Sequence, residues 1–173
     1  MPAGLVAAMA EAAADRAVQD PRFRIGANGC LRLGAGSTGS PGLQGCFAKR
    51  GPAFALGNTR LSLRLTAWGR AGRLEPVRLG RGSARANRIE YRGHGVREWW
   101  RASSLGYEQG FTLRRPPAGR GRIVLHVHAS TAPSVRSGVL AWGALRYGKL
   151  HVTDADGRVL PARSEERRVG KEC

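Results

Sequence analysis

The sequence lacks any apolar stretch of the roughly 20 residues that a membrane-spanning helix requires. Its first twenty residues have no basic start, and Glu11 interrupts their apolar run, so we do not expect these residues to be a secretory signal peptide. The sequence also contains no serine in a nucleophile elbow and no cysteine in a catalytic signature. We therefore expect a domain that does not insert into the membrane and is not an enzyme.

Acidic residues and lysine are scarce, whereas arginine is abundant. The 12 acidic residues stand against 29 basic ones, of which 26 are arginine, and the formal net charge is +17. Together with 25 glycines, this arginine usage is typical of a GC-rich coding sequence. A surface this positive attracts anionic polymers at low salt. Because the arginines are spread along the whole chain without a nucleic-acid motif, they indicate either a scattered solvated surface or a binding face for polyanions.

The sequence has three cysteines, at positions 30, 46 and 173. Cys30 and Cys46 flank a Gly-rich loop, and they predict either a disulfide in an oxidising compartment or two free thiols. A bridge across a loop of this length would contribute about 3 kcal/mol to stability. The loop contains G-A-G-S-T-G (34–39), which matches a dinucleotide-binding fingerprint in its letters. Since no helix follows the last glycine, we interpret these residues as a plain loop and expect no cofactor.

Alternation of apolar and polar residues follows an Ala-rich helix predicted at 1–20, and it indicates a mostly β fold. In R-L-S-L-R-L-T-A-W (60–68) the leucines face one side, and Trp68 is predicted to lie on the other, polar side. Residues 143–154 are compatible with one continuous or bent strand. Short strands recurring about every 8–12 residues, with Gly-rich turns between them, predict an antiparallel β-sandwich or barrel-like domain over residues 21–162.

The most specific prediction concerns a hairpin formed by residues 87–92 and 96–101. A three-residue Gly-His-Gly loop joins the two segments, and we assume symmetric pairing across it. One face of the hairpin then carries Tyr91, Arg97 and Trp99, an aromatic surface on which a guanidinium can stack. These three residues form the candidate ligand-binding face.

The same register places Glu90 opposite Glu98 on the other face of the hairpin. Neighbouring carboxylates can perform acid–base chemistry because proximity raises one pKa, but no third group in the sequence supports a catalytic role. His126 and His128 point to the same side of a strand, where two imidazoles can share a metal. No further ligands accompany them, so we predict two exposed histidines, no metal site and no catalytic residue.

Two segments carry a family resemblance. N-R-I-E-Y-R-G-H-G-V-R-E-W-W-R-A-S-S-L-G-Y-E-Q-G-F-T-L (87–113) and G-A-L-R-Y-G-K-L-H-V-T-D-A-D-G-R-V-L-P-A-R (143–163) resemble the N-terminal β domain that precedes FG-GAP repeats in large bacterial surface proteins. Those repeats are the integrin-type units that build β-propellers. The sequence departs from that pattern at Ser103 and Ser104 and at Tyr107. The resemblance implies an extracellular or cell-surface protein, a non-catalytic scaffolding or adhesion role, and the protein's own downstream propeller as its partner.

The last eleven residues, R-S-E-E-R-R-V-G-K-E-C (163–173), show neither strand alternation nor a helical stripe. They resemble the translation of one frame of a common short-read sequencing adapter. We therefore expect that they are not natural sequence, and that the closing strand or strands of the domain and any propeller lie beyond this junction. The basic composition supports an alternative function, a module that binds anionic polymers or glycans.

Overall fold

The computed structural model describes residues 3–26, 29–34, 42–48, 51–137 and 139–165. The Ala-rich start forms helix α1 (Ala3–Ala17), and a 3-10 turn follows it at Pro21–Phe23. The strands within the described ranges are β1 (Cys30–Leu33), β2 (Leu43–Ala48), β3 (Gly51–Leu56), β4 (Thr59–Arg70), β5 (Arg73–Pro76), β6 (Ser83–Arg85), β7 (Arg88–Arg92), β8 (Val96–Ser103), β9 (Gly106–Leu113), β10 (Ile123–Ala129), β11 (Ser134–Arg136), β12 (Val139–Trp142) and β13 (Leu145–Tyr147). The predicted mostly β fold with an N-terminal helix is therefore confirmed.

The described strands form three antiparallel sheets. The first has the order β1-β2-β3-β4-β10, and β5 pairs with β4 beside it. The second is the four-stranded sheet β6-β7-β8-β9, and the third is the small sheet β11-β12-β13. Among the described residues, no helix combines the length and the apolar character that crossing a membrane demands.

The two larger sheets pack against each other through aromatic side chains. The ring centroids of Phe54 on β3 and Trp100 on β8 are 4.8 Å apart, and those of Phe47 on β2 and Tyr107 on β9 are 5.6 Å apart. Trp142 of the small sheet joins the same buried cluster. Each of these side chains buries roughly 150–250 Å², so the cluster holds the four-stranded sheet with one face inward and the other toward solvent.

Helix α1 docks on the end of β8 through small side chains and one buried amide. Its residues Ala13, Ala14 and Ala17 are buried, which lets the helix backbone approach the sheet closely. Asn87 is also buried, and its Nδ2 donates hydrogen bonds to the backbone carbonyls of Ala14 and Ala102, both at 2.9 Å. This single amide therefore links the helix to the sheet.

Strand β4 follows the predicted alternation only in its first half. Leu61, Leu63 and Leu65 are buried, as the pattern predicts. The pairing with β10 then skips Thr66, which is the extra residue of a β-bulge. After the bulge the alternation changes phase, and Trp68 is buried rather than solvent-facing. The prediction for Trp68 was wrong because a bulge has no clear signature in the sequence.

The turn between β7 and β8 is one residue shorter than predicted. The N–H of Gly93 donates to the carbonyl of Val96 at 2.9 Å, so His94 and Gly95 alone form the turn. Gly95 adopts a φ of +72°, a conformation that glycine reaches without steric cost. The assumed symmetric register was therefore wrong by one residue, and a shift of one residue reverses which side chains share a face.

The segment after β13 contains a turn but no continuous strand. Strand β13 ends at Tyr147, so one strand over 143–154 does not form. The Oδ1 atom of Asp154 accepts hydrogen bonds from the backbone N–H groups of Asp156 and Arg158. An isolated antiparallel bridge between Thr153 and Val159 flanks this turn. Residues 163–165 are exposed, and residues 166–173 of the adapter-like segment lie outside the described residues.

Candidate functional site

The register of β7 and β8 separates the residues that were predicted to share a ligand-binding face. Tyr91 pairs with Glu98 and is 1% exposed in the core, whereas Arg97 and Trp99 lie on the solvent-facing side. The grouping of Tyr91 with Arg97 and Trp99 was therefore wrong. The proposed carboxylate pair does not form either, because Glu90 pairs with Trp99 on the outer side and Glu98 is fully buried.

The outer side of the four-stranded sheet carries rows of arginine. Arg85 pairs with Arg88, which in turn pairs with Arg101 on the next strand. Nearer the turn, Arg92 pairs with Arg97. We call this surface the arginine–tryptophan face, and it consists of Arg85, Arg88, Arg92, Arg97, Trp99 and Arg101 with the carboxylates Glu90 and Glu108.

The rows have a regular geometry because they follow the strands. Neighbouring strands lie about 4.8 Å apart, and four residues along a strand span about 13 Å. The Arg88–Arg101 row and the Arg92–Arg97 row therefore flank Trp99 at roughly equal distances. Like charges directly opposite each other destabilise a sheet, so three such arginine pairs on one face oppose the stability of the fold.

Trp99 organises the centre of the face. The guanidinium carbons of Arg88 and Arg101 lie 4.4 and 5.0 Å from its ring centroid. Across the sheet, Gly110 leaves room for the indole, since a Cβ atom at that position would come within 1.9 Å of Trp99 Cζ2. Stacking on an aromatic ring holds a guanidinium in a fixed plane while its N–H edge stays available for a carboxylate or phosphate. The indole therefore serves as a platform for the arginines.

Two carboxylates partly neutralise the face. Glu90 contacts Arg88 at 2.9 Å and Arg97 at 3.4 Å. Glu108 accepts from both Nε and Nη2 of Arg101, at 3.1 and 2.8 Å. Arg85 and Arg92 are exposed and, within the part of the chain that the structure describes, have no ion-pair partner. Five guanidiniums thus face two carboxylates, and the surface is positive.

The opposite side of the same strands buries a carboxyl group. Glu98 is fully buried, and its Oε1 accepts hydrogen bonds from Trp100 Nε1 at 3.0 Å and Gln109 Nε2 at 2.6 Å. Its Oε2 atom has no hydrogen-bond partner in the structure. Burial raises the pKa of Glu98, and the two hydrogen bonds offset only part of that effect. The carboxyl is an element of the core, because Glu98 lies on the buried side of β8 and its neighbours Arg97 and Trp99 lie on the other side.

Gln109 connects this carboxyl to the small sheet. Tyr147 on β13 donates its hydroxyl to Gln109 Oε1 at 2.8 Å, while Gln109 Nε2 donates to Glu98. Burial, with a further contribution from the charge of Glu98, raises the pKa of Tyr147 to about 12. This chain of hydrogen bonds connects β13 of the small sheet to β8 and β9 of the four-stranded sheet.

The remaining predicted sites are found on the first sheet. Cys30 and Cys46 face each other on β1 and β2, and a disulfide joins them. His126 and His128 are exposed, and His126 Nδ1 lies 2.9 Å from the Thr66 hydroxyl. Among the described residues, no group of three metal-ligating side chains occurs. Most of the G-A-G-S-T-G loop (35–39) lies outside the described residues.

Of the arginine–tryptophan face, only Arg97 and Trp99 were predicted from the sequence to belong to a binding surface. Arg88 and Arg92 on β7, and Arg97 and Arg101 on β8, each stand four residues apart, which places each pair on one side of its strand. That spacing is visible in the sequence. The alignment of the two pairs into rows depends on the register, which the sequence alone did not indicate.

Comparison of the chain with protein-family models, with curated proteins and with solved structures finds no match. The fold and the chemistry of the arginine–tryptophan face are therefore the basis for inferring the function.

Proposed function

We propose that this chain is a non-catalytic adhesion domain of an exported bacterial protein, and that it attaches to anionic polymers through its arginine–tryptophan face. The observation that carries the proposal is the direct cross-strand pairing of arginines on one face. Such pairs oppose folding, whereas a bound polyanion would place negative charge between the guanidiniums and remove the repulsion. Two planar guanidiniums stacked on Trp99 present the fork geometry that binds carboxylate or phosphate oxygens.

The disulfide supports the exported location. Disulfides persist in secreted and cell-surface proteins and are rare in the cytosol of most organisms, where thiols are kept reduced. The Cys30–Cys46 disulfide joins β1 and β2, which also pair with each other through their backbones. In an exported protein the anionic partner of the face is a surface polymer, because nucleic acid is chiefly intracellular.

A scaffolding role ahead of an FG-GAP propeller is the more specific form of the proposal. It is supported by the resemblance of residues 87–113 and 143–163 to the domain that precedes such repeats. Those two segments contribute β7, β8 and β9 of the four-stranded sheet and β13 of the small sheet, which the Gln109–Tyr147 hydrogen bond connects. An independent sequence of the uninterrupted gene tests this form, since it predicts FG-GAP repeats downstream, and their absence would remove the propeller partner.

The binding function is tested by comparing two double variants of equal charge. Arg85→Gln with Arg92→Gln removes two exposed guanidiniums of the face, whereas Arg73→Gln with Arg136→Gln removes two exposed guanidiniums of β5 and β11. Binding of each to immobilised polygalacturonate is measured by biolayer interferometry at several salt concentrations. We expect the face variant to bind about four- to 25-fold more weakly than the control, because it loses two exposed charge contacts and each contributes a factor of roughly two to five.

Equal losses in the two double variants would refute the proposal. That result would mean that binding depends on net charge alone and not on the arginine–tryptophan face. Failure of the unmodified chain to bind any anionic polymer at low salt would refute it as well.

A further inference from the structure

The acidic side chains of the arginine–tryptophan face occupy the positions that a bound anion would take. Glu90 Oε1 accepts a hydrogen bond from Nε of Arg88 at 3.1 Å and lies 2.9 Å from its Nη2, and Glu90 Oε2 lies 3.4 Å from Arg97 Nη1. Glu108 Oε2 accepts from Nε and Nη2 of Arg101. Three of the five guanidiniums thus already hold a carboxylate oxygen of the protein itself.

We propose that Glu90 and Glu108 are internal competitors for the ligand, that they set the affinity of the face, and that the ligand is a carboxylate-bearing polysaccharide. This inference rests on the proposed function, because it concerns the same face. When a uronate carboxylate binds to the guanidinium of Arg88 or Arg101, the glutamate that was paired with that guanidinium moves away from it and turns to solvent. One carboxylate replaces another, so the exchange keeps the number of hydrogen bonds at that guanidinium.

The structure makes both glutamates suitable for displacement. Their side chains are 21% and 39% exposed, so each has room to rotate away from the sheet. Ion pairs at this exposure are weak and are screened by salt. The ring of Trp99 packs against the guanidiniums of both Arg88 and Arg101, and this contact does not depend on the glutamates. The arginines therefore keep their orientation after the glutamates leave.

Carboxylate is the ligand chemistry that the geometry favours. The forks of Arg88 and Arg101 are arranged around carboxylate oxygens, since each holds one through Nε and Nη2 together. Neutral sugars would have to stack on Trp99, and the Gly110 backbone and two guanidiniums already cover its ring. The Cys30–Cys46 disulfide favours a surface polysaccharide over a nucleic acid.

The test compares glutamate variants of equal charge. Glu90→Gln, alone and with Glu108→Gln, frees guanidiniums of the face without changing side-chain size. Glu75→Gln on β5, alone and with Glu11→Gln on α1, adds the same net charge at exposed positions elsewhere. Each variant is titrated separately with polygalacturonate, with dextran sulfate, which carries sulfates but no carboxylates, and with single-stranded oligothymidylate, over a range of salt concentrations.

We expect Glu90→Gln to bind polygalacturonate about two- to fivefold more tightly, and the double variant to gain further, in line with the strength of exposed ion pairs. The slope of log Kd against log salt should also become steeper, because in the unmodified chain salt weakens the competing ion pair of Glu90 as well as the contacts with the polymer. The Glu75 and Glu11 controls should change both quantities less. Thermal unfolding of each variant shows whether it is folded, so that a misfolded protein does not enter the comparison.

Three results would overturn the inference. If the controls gain as much affinity as the face variants, net charge explains the effect. If the face variants gain nothing while the Arg85 and Arg92 variant still loses binding, the adhesive face stands and the competitor role of Glu90 and Glu108 fails. If the unmodified chain prefers oligothymidylate or dextran sulfate to polygalacturonate, the assignment of a carboxylated polysaccharide fails.

Discussion

Replacement of the buried Glu98 by glutamine should change how the stability of the domain depends on pH. In the native protein the Glu98 carboxyl is fully buried, with two hydrogen bonds to Oε1 and none to Oε2. Burial raises its pKa above the ordinary value of 4.5. The native state therefore retains a proton that the unfolded state has already released. Glu98→Gln keeps the accepting oxygen and the side-chain size but cannot ionise.

The sign follows from proton linkage. A raised native pKa contributes stability that is fully present below pH 4.5 and is lost as the pH rises through the native pKa. Within that window each pH unit lowers the free energy of unfolding of the native protein by up to about 1.4 kcal/mol relative to Glu98→Gln. The variant should thus be relatively more stable at pH 8 than at pH 4.

Urea denaturation followed by tryptophan fluorescence, at intervals from pH 4 to pH 9, measures this difference. Glu75→Gln is the control because Glu75 is exposed on β5, and its curve should run parallel to that of the unmodified chain. The reasoning is refuted if the free energies of unfolding of the unmodified chain and of Glu98→Gln differ by a constant amount over the whole pH range.

Three further substitutions test other parts of the structure. Gly110→Ala places a methyl group where the Trp99 ring lies, so it should lower stability by about 1–3 kcal/mol and weaken polygalacturonate binding; unchanged binding would contradict the role of the indole. Asn87→Ala removes the amide that donates to the buried carbonyls of Ala14 and Ala102 and should cost about 2–4 kcal/mol in urea denaturation, whereas a loss below 1 kcal/mol would contradict the proposed link to α1. Replacing Cys30 and Cys46 by serine should lower stability by about 3 kcal/mol, and reduction of the unmodified chain should have a similar effect.

The fold class was predictable because it depends on a pattern that is local in sequence. Leu61, Leu63 and Leu65 alternate with polar residues and are buried in β4, as a half-buried strand requires. The same alternation places Trp68 on the solvent-facing side, but Trp68 is buried because the bulge at Thr66 shifts the alternation by one residue. The free-energy cost of a bulge depends on the partner strand, which is distant in sequence. The local residue pattern therefore does not reveal where a bulge forms.

The candidate site was less predictable because it depends on register. A Gly-His-Gly loop is compatible with a three-residue and with a two-residue turn, and the choice decides which residues face each other. The two-residue turn buries Tyr91 and Glu98 and brings Arg88 opposite Arg101. The three-residue turn that we assumed from the Gly-His-Gly sequence places Glu98 opposite Glu90 instead. Only the packing of β8 against the first sheet, with Trp100 in the core, decides the question.

The most direct test of the central claim is to observe the arginines while the polymer binds. Titration of the ¹⁵N-labelled chain with polygalacturonate reports on each arginine through its Nε–Hε signal. We expect the Nε–Hε signals of Arg88, Arg97 and Arg101 to shift first and furthest, while those of Arg73 and Arg136 shift little. Equal shifts of all five, or shifts confined to the last two, would contradict it.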